Sequence, residues 1–243
     1  MLGLIGACLG VEREDDAAQA ALAADYGLAL LCHAPGRLLA DYHTAQVPST
    51  QRNRRFATRA AELRAPDLNT VLSRRDYRSG AWHLGVLWAR ATAPRWPLEA
   101  IQEAMERPNF APYLGRKSCP LGLPLAPRIA QAQDAPAALL HRQATGQEAK
   151  LLDSWVPTQG SRARVSEGPQ GWSPAPSHRL LRDRMADQPI HPLIVLDATD
   201  AAGDPRVLRV ETRRDQPRSR RRWQFDLRHE AVLQGRPLGE DAP

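Results

Sequence analysis

Nine consecutive residues, Tyr113-Leu114-Gly115-Arg116-Lys117-Ser118-Cys119-Pro120-Leu121, gather the groups that suit a phosphorylated ligand. Gly115 has no Cβ, so its backbone can take positive φ and lie close against a partner. Arg116 and Lys117 oppose phosphate charge, Ser118 can add a hydrogen bond to a phosphate oxygen, and Tyr113 offers a flat face for a base. Pro120 fixes φ and donates no hydrogen bond, so the loop stops there. The same residue types also build ordinary solvated turns, and a core role for Tyr113 or Cys119 is an open alternative.

The charge that would support such a site is unevenly placed. The chain has 243 residues, 42% of them hydrophobic, which is enough for a sizeable core. Lys plus Arg number 33 against 27 acids, and only Lys117 and Lys150 are lysine. Scarce lysine is what a GC-rich genome would give. Codon bias alone, however, would scatter arginine evenly. Residues 1–46 carry a net −4, residues 47–79 a net +5 and residues 205–236 a net +6. Two basic blocks behind an acidic start point to a polyanion partner.

Other chemistries find less support. Cys8, Cys32 and Cys119 form no CxxC or Cys/His set with zinc spacing, so no metal or other cofactor is expected. An odd, sparse set of thiols fits a reducing cytoplasmic setting. No apolar run is long enough to span a membrane, and the apolar start lacks a basic region ahead of it, so it is not read as a signal peptide.

The elements that must position these groups can be read in outline. Leu2 to Leu9 is expected to be a small-residue helix ending near Gly10. Glu12, Glu14, Asp15 and Asp16 suit the first turn of a second helix, which stops near Gly27. Leu28 to Cys32 reads as a short buried strand, and Arg37 to Thr44 as an extended segment after the Pro35-Gly36 turn. Thr70 to Tyr77 and Ala81 to Trp88 read as strands, with Trp82 and Trp88 in the core. Pro97 to Arg107 is expected to be a helix with Leu98, Ile101 and Met105 on one face. Later, Ala135 to Arg142 suggests a helix, 159–178 a mobile loop rich in Gly, Pro and Ser, and Ile190 to Leu196 a strand. Pro205 to Val210 and Trp223 to Leu233 read as a strand pair flanking the Arg-rich turn Arg213 to Arg222, which is either a nucleic-acid contact or a soluble tip.

Between the first strands lies a basic stretch, 45–69, with little core material, where Arg52, Arg54, Arg55 and Arg59 are candidate contacts to phosphate or to a protein partner, with a solvated arm as the open alternative. His43 serves either as a general base for RNA cleavage or as a structural donor anchoring this stretch, and the structural role is favoured. Alternation along a strand puts Arg75 and Tyr77 on one face and Arg74 and Arg78 on the other. The sequence does not say which face meets a partner.

The start LGLIGACLGVEREDD, Asp41-Tyr42-His43-Thr44, Thr70 to Tyr77 and above all YLGRKSCPLGLPL at 113–125 resemble the Cas5 family, in particular the CasD subunit of the type I-E CRISPR surveillance complex Cascade. A weaker echo lies at Arg213 to Pro217 and Trp223. The resemblance implies an α+β fold: a ferredoxin-like (RRM-like) RNA-binding domain over 1–130, a basic thumb inserted at 45–69, and a smaller β-rich region over 131–243. It further implies a cytoplasmic antiviral-defence protein that grips the 5′ handle of the guide RNA (crRNA). Such a subunit caps the CasC backbone beside the large subunit CasA; whether the Arg-rich turn Arg213 to Arg222 meets guide RNA, target DNA or only solvent is open. It is expected to bind without cutting, since a separate subunit, CasE, processes the RNA.

The family begins with a strand ahead of the helix found here at 1–9. The expectation is that Met1 is internal to a longer reading frame, or that the chain is N-terminally truncated. Expression with and without upstream codons tests this, and equal solubility and assembly would refute it. Two other functions compete with RNA binding: a metal-independent endoribonuclease processing CRISPR repeat RNA, and a standalone DNA-binding regulator. The regulator has no helix-turn-helix pattern behind it.

Overall fold

The computed structural model describes residues 1–49, 55–145, 191–219, 222 and 224–236. It separates into two compact units, Met1–Ala34 with Trp82–Pro243, and Pro35–Ala81.

The first unit is built on a five-stranded sheet in the order β4-β1-β5-β7-β6. Its strands are β1 (Tyr26–Ala34), β4 (Trp82–Ala89), β5 (Leu193–Asp197), β6 (Val207–Ser219) and β7 (Gln224–Gln234). Every neighbouring pair is antiparallel. The helices are α1 (Leu2–Leu9), α2 (Asp16–Asp25), α4 (Leu98–Glu106) and α5 (Ala135–Thr145). Position 130 falls inside this unit, because β1 pairs both with β4 and with the late strand β5.

The near-continuous apolar text of β1 follows from its being paired on both edges and covered on both faces. On one face Ala29 and Leu31 join Leu84, Ile194, Leu196, Leu233 and Leu139 of α5. On the other, Tyr26 and Leu28 meet Ile5, Leu22 and Ile101 from α1, α2 and α4. Gly27 is required by packing: a Cβ there would lie 2.1 Å from the Trp88 ring. The sequence marks Gly27 as a helix stop, and the structure makes it part of the strand.

Caps fix the helix ends. Gly10, at φ 77°, turns the chain out of α1, and Val11 N–H closes on the Gly6 carbonyl at 2.8 Å. Asn109 returns to cap the same end, its side-chain amide donating to the Cys8 carbonyl at 3.0 Å. Asp15 accepts from the Ala18 N–H at 2.9 Å and opens α2. Asp134 accepts from the Ala137 N–H at 2.6 Å and opens α5, while its second oxygen takes the Arg206 guanidinium at 2.9 Å. Arg206 is 4% exposed and also pairs with Asp204 at 2.7 Å. Hydrogen bonding from Arg206 holds the Asp204 carboxyl below the usual carboxylate range, against the opposing effect of burial.

The second unit is a two-stranded ribbon of β2 (Arg37–Pro48) and β3 (Leu68–Ser79). Its antiparallel register runs unbroken from Arg37 opposite Ser79 to Pro48 opposite Leu68, a length of about 40 Å. Both strands therefore extend past the segments expected from sequence and into the basic stretch 45–69. Gly36, at φ 70°, sits where a Cβ would lie 2.7 Å from the Ser79 carbonyl oxygen. Beyond the strands, Thr58 caps the single turn α3 (Arg59–Glu62) by accepting from the Ala61 N–H at 3.2 Å.

Candidate nucleic-acid interface

The Tyr113–Pro120 segment closes on itself. Tyr113 and Pro120 form an isolated antiparallel bridge, Leu114 N–H donates to the Cys119 carbonyl at 2.9 Å, and Cys119 N–H donates to the Arg116 carbonyl at 2.9 Å. A six-residue loop is thereby held with its tip outward. Gly115 sits near that tip at φ 80°, with no heavy atom within 4 Å of where a Cβ would lie. Its glycine character is thus demanded by the backbone angle, and the space beside it is open. Tyr113 is exposed rather than buried, Lys117 and Ser118 are exposed, and Arg116 and Cys119 are half-buried. The chain around this loop, with α4, walls an apolar cavity of about 320 Å³ lined by Met105, Pro112, Leu121, Leu123 and Pro124.

The ribbon brings together the second group of candidates. His43 pairs through Nε2 with the Asp41 carboxylate two residues away, on the same face. Arg75 lies directly opposite Asp41, and Ser73 opposite His43. On the other face Tyr42 lies opposite Arg74, whose Nε donates to Asp76 at 3.1 Å. Arg59 is engaged locally, with Glu62 at 2.6 Å and the Gln46 carbonyl. Arg55 is exposed, while Arg52 and Arg54 lie outside the described residues. The Asp41 contact fixes the His43 imidazole, an arrangement that serves a structural donor and an oriented general base alike.

The densest arginine stretch proves to be partly neutralised. Arg209, Glu211, Arg213, Glu230, Arg228 and Asp215 form a continuous ladder across β6 and β7, with contacts of 2.6 to 3.1 Å. Burial works against the Arg228 charge, but hydrogen bonds to Asp215 and Glu230 outweigh it and hold its pKa above the usual arginine range. The period-two spacing of Arg209, Glu211, Arg213 and Asp215 is the sequence signal for this ladder, since alternate residues of a strand share a face. Arg214 and Arg218 are exposed outside it. The expected mobile loop 159–178 lies outside the described residues. Among the described residues no group of three His, Cys, Asp or Glu side chains could hold a metal ion, and no helix is long and apolar enough to cross a membrane.

The closed loop, with Lys117 exposed, and the two-stranded ribbon, with Arg74 and Arg78 exposed, are carried on an α+β scaffold, and each offers cations that suit a polyanion. Comparison with known proteins gives the family. The family model described as CRISPR-associated protein (Cas_Cas5) matches residues 1–228, and the chain belongs to that family. A curated relative, the CRISPR system Cascade subunit CasD of Escherichia coli (strain K12), is 31% identical over 147 residues. That match covers 60% of this chain and 64% of the relative, less than two thirds of its length. Among solved structures, a chain of a CRISPR RNA-guided surveillance complex shares the fold with a TM-score of 0.50 at 19% identity, covering 96% of this chain and 76% of that one. A second, described as the crystal structure of a Cas protein, gives a TM-score of 0.42 at 19% identity over 96% of this chain and 78% of that one.

Proposed function

We propose that this chain is a non-catalytic subunit of a type I-E CRISPR surveillance complex, gripping the 5′ handle of the guide RNA and capping the CasC backbone beside CasA. Family membership supports the class. The observation that carries the finer reading is the Tyr113–Pro120 loop, tied at its base and presenting Lys117, Ser118 and the open side of Gly115 at its tip. Backbone and cations together suit a sugar-phosphate chain, to which they give position rather than sequence readout. In this reading the five-stranded sheet is a ferredoxin-like core: the helix–strand–strand–helix order α2, β1, β4, α4 is the one such a core uses, with the ribbon inserted between its two strands. His43 takes the part of an anchored structural group.

Incubating the purified chain with guide RNA and with intact repeat RNA, each in EDTA, tests both halves. The expected result is tight binding of the guide with no cleavage of the repeat. Defined cleavage would assign the chain to the endoribonucleases instead, and absence of binding would remove the reading altogether.

A further inference from the structure

The five-stranded sheet ends in two edges of opposite character. At one end β6 carries Arg209, Glu211, Arg213, Asp215 and Pro217, and its pairing with β7 shifts register three times. Charge, proline and bulges are the devices that keep a sheet edge from pairing with another chain. At the other end β4 reads Trp82-His83-Leu84-Gly85-Val86-Leu87-Trp88-Ala89, with no Lys, Arg, Asp, Glu or Pro. Its text is as apolar as that of β1, which is paired on both edges and mostly buried. In β4, however, only Leu84 is buried, and Gly85 is exposed at mid-strand. Among the described residues the one strand hydrogen-bonded to it is β1. Alternate residues of such a strand turn their N–H and C=O outward, which leaves a row of backbone donors and acceptors along this edge.

We propose that β4 is a self-association edge, pairing antiparallel with the β4 of a second copy of this chain and joining the two sheets across a twofold axis. An extended backbone is what satisfies a row of N–H and C=O groups, and the free edges single out the second copy. β2 carries Arg37, Asp41 and Pro48, β3 carries Arg74, Arg75, Asp76 and Arg78, and β6 is charged and bulged. Among the described strands with a free edge, β4 alone is uncharged and free of proline. Two molecules of formal charge +6 repel, and they meet at least electrostatic cost where neither brings a charge. β4 against β4 is isologous, so pairing closes at two copies, whereas β4 on β6 would propagate. A twofold axis normal to the sheet keeps each face on its own side, so opposed residues share parity and the axis passes through Gly85 or Val86. The joined segments are 82–88 in the first case and 83–89 in the second. Leu84, Val86 and Trp88 then face their counterparts beside the core cluster to which they belong or against which they pack. The inference is independent of the RNA-binding reading and uses none of the Tyr113–Pro120 residues.

The test is sedimentation equilibrium of the full chain over a range of concentrations, without RNA. The expected result is a monomer–dimer equilibrium with no larger species. His83→Lys combined with Ala89→Lys changes two exposed positions and sets lysines opposite or diagonal to one another across the seam in either register. It should raise the dimer dissociation constant by about 2- to 30-fold, the range for two unfavourable cross-strand pairs, with the circular dichroism of the wild type. Leu208→Lys on β6 combined with Val71→Lys on β3 adds the same charge at exposed positions of two other edge strands and should leave the constant unchanged. A wild type that stays monomeric at every concentration overturns the proposal. So does a dimer indifferent to the β4 lysines, or one weakened equally by the control pair. Association that grows past two copies overturns the closed twofold pairing. A monomer that still binds guide RNA overturns the edge and leaves the proposed function standing.

Discussion

The Trp88 ring lies where a side chain at Gly27 would begin, 2.1 Å from an ideal Cβ. The two residues are partners in the β1–β4 register, and Trp88 packs at the border of the core cluster that includes Ala29 and Leu31. Gly27→Ala should therefore destabilise the fold by about 1–3 kcal/mol, the usual cost of overpacking. Combining it with Trp88→Leu should restore part of the loss. Denaturant unfolding of the two variants checks this, and an unperturbed Gly27→Ala protein would contradict the packing.

Arg206 ties the start of α5 to the turn before β6 through Asp134 and Asp204. Arg206→Ala strips two carboxylates of a buried partner and should cost about 3 kcal/mol, the low end for breaking a buried ion pair, since both acids are partly exposed. A melting temperature within error of wild type would show the tie to be idle.

The same pair sets a pH dependence. The folded-state pKa of Asp204 is depressed, as are those of Asp197 and Glu211. A depressed acid contributes stability that is fully present above its unfolded pKa, about 3.9 for Asp, and lost as pH falls through the lower folded value. Thermal melts should fall steeply below about pH 4, and Asp204→Asn should flatten that fall. An equal slope in the variant would contradict the assignment.

Gly115 separates conformation from contact. Its φ of 80° strains any L side chain, while the space beside it is empty. Gly115→Ala should cost about 1–2 kcal/mol in the loop, and Gly115→Asn less, because Asn tolerates left-handed backbone. If RNA fills the empty space, both variants lose RNA affinity. If only the backbone angle matters, Asn keeps it.

Arg59 is already engaged with Glu62 and the Gln46 carbonyl, so Arg59→Ala should leave the salt dependence of RNA binding unchanged. Arg52, Arg54 and Arg55 together, replaced by Ala, should reduce the slope by up to about 2 if each neutralises one phosphate. An unchanged slope would assign them to protein contacts.

Local chemistry made much of this legible. α1 lies where apolar text meets Gly10, and α2 opens where the acids predicted, but the expected turn Arg213 to Arg222 is strand as far as Ser219, because β6 runs from Val207 to Ser219 paired with β7. What was hidden depends on distant partners. Gly27 reads as punctuation because nothing nearby announces Trp88, 61 residues on. The ribbon's full length was obscured because polar ladders have no apolar alternation to follow beyond Thr44. Arginine counts likewise overstated free charge at Arg213, since its partner Glu230 comes from the other strand. The loop at 113–120 was legible as a turn gathering cations around a glycine, but its Tyr113–Pro120 closure and the open side of Gly115 depend on the folded chain.

The central claim is that the cations of this loop hold guide RNA. Its most direct test is the amount of guide RNA recovered with the tagged chain when Arg116→Glu and Lys117→Glu are combined. Two charge-assisted contacts at about 1.5 kcal/mol each predict more than about 100-fold weaker capture in a folded protein. Undiminished guide recovery and particle formation would contradict it.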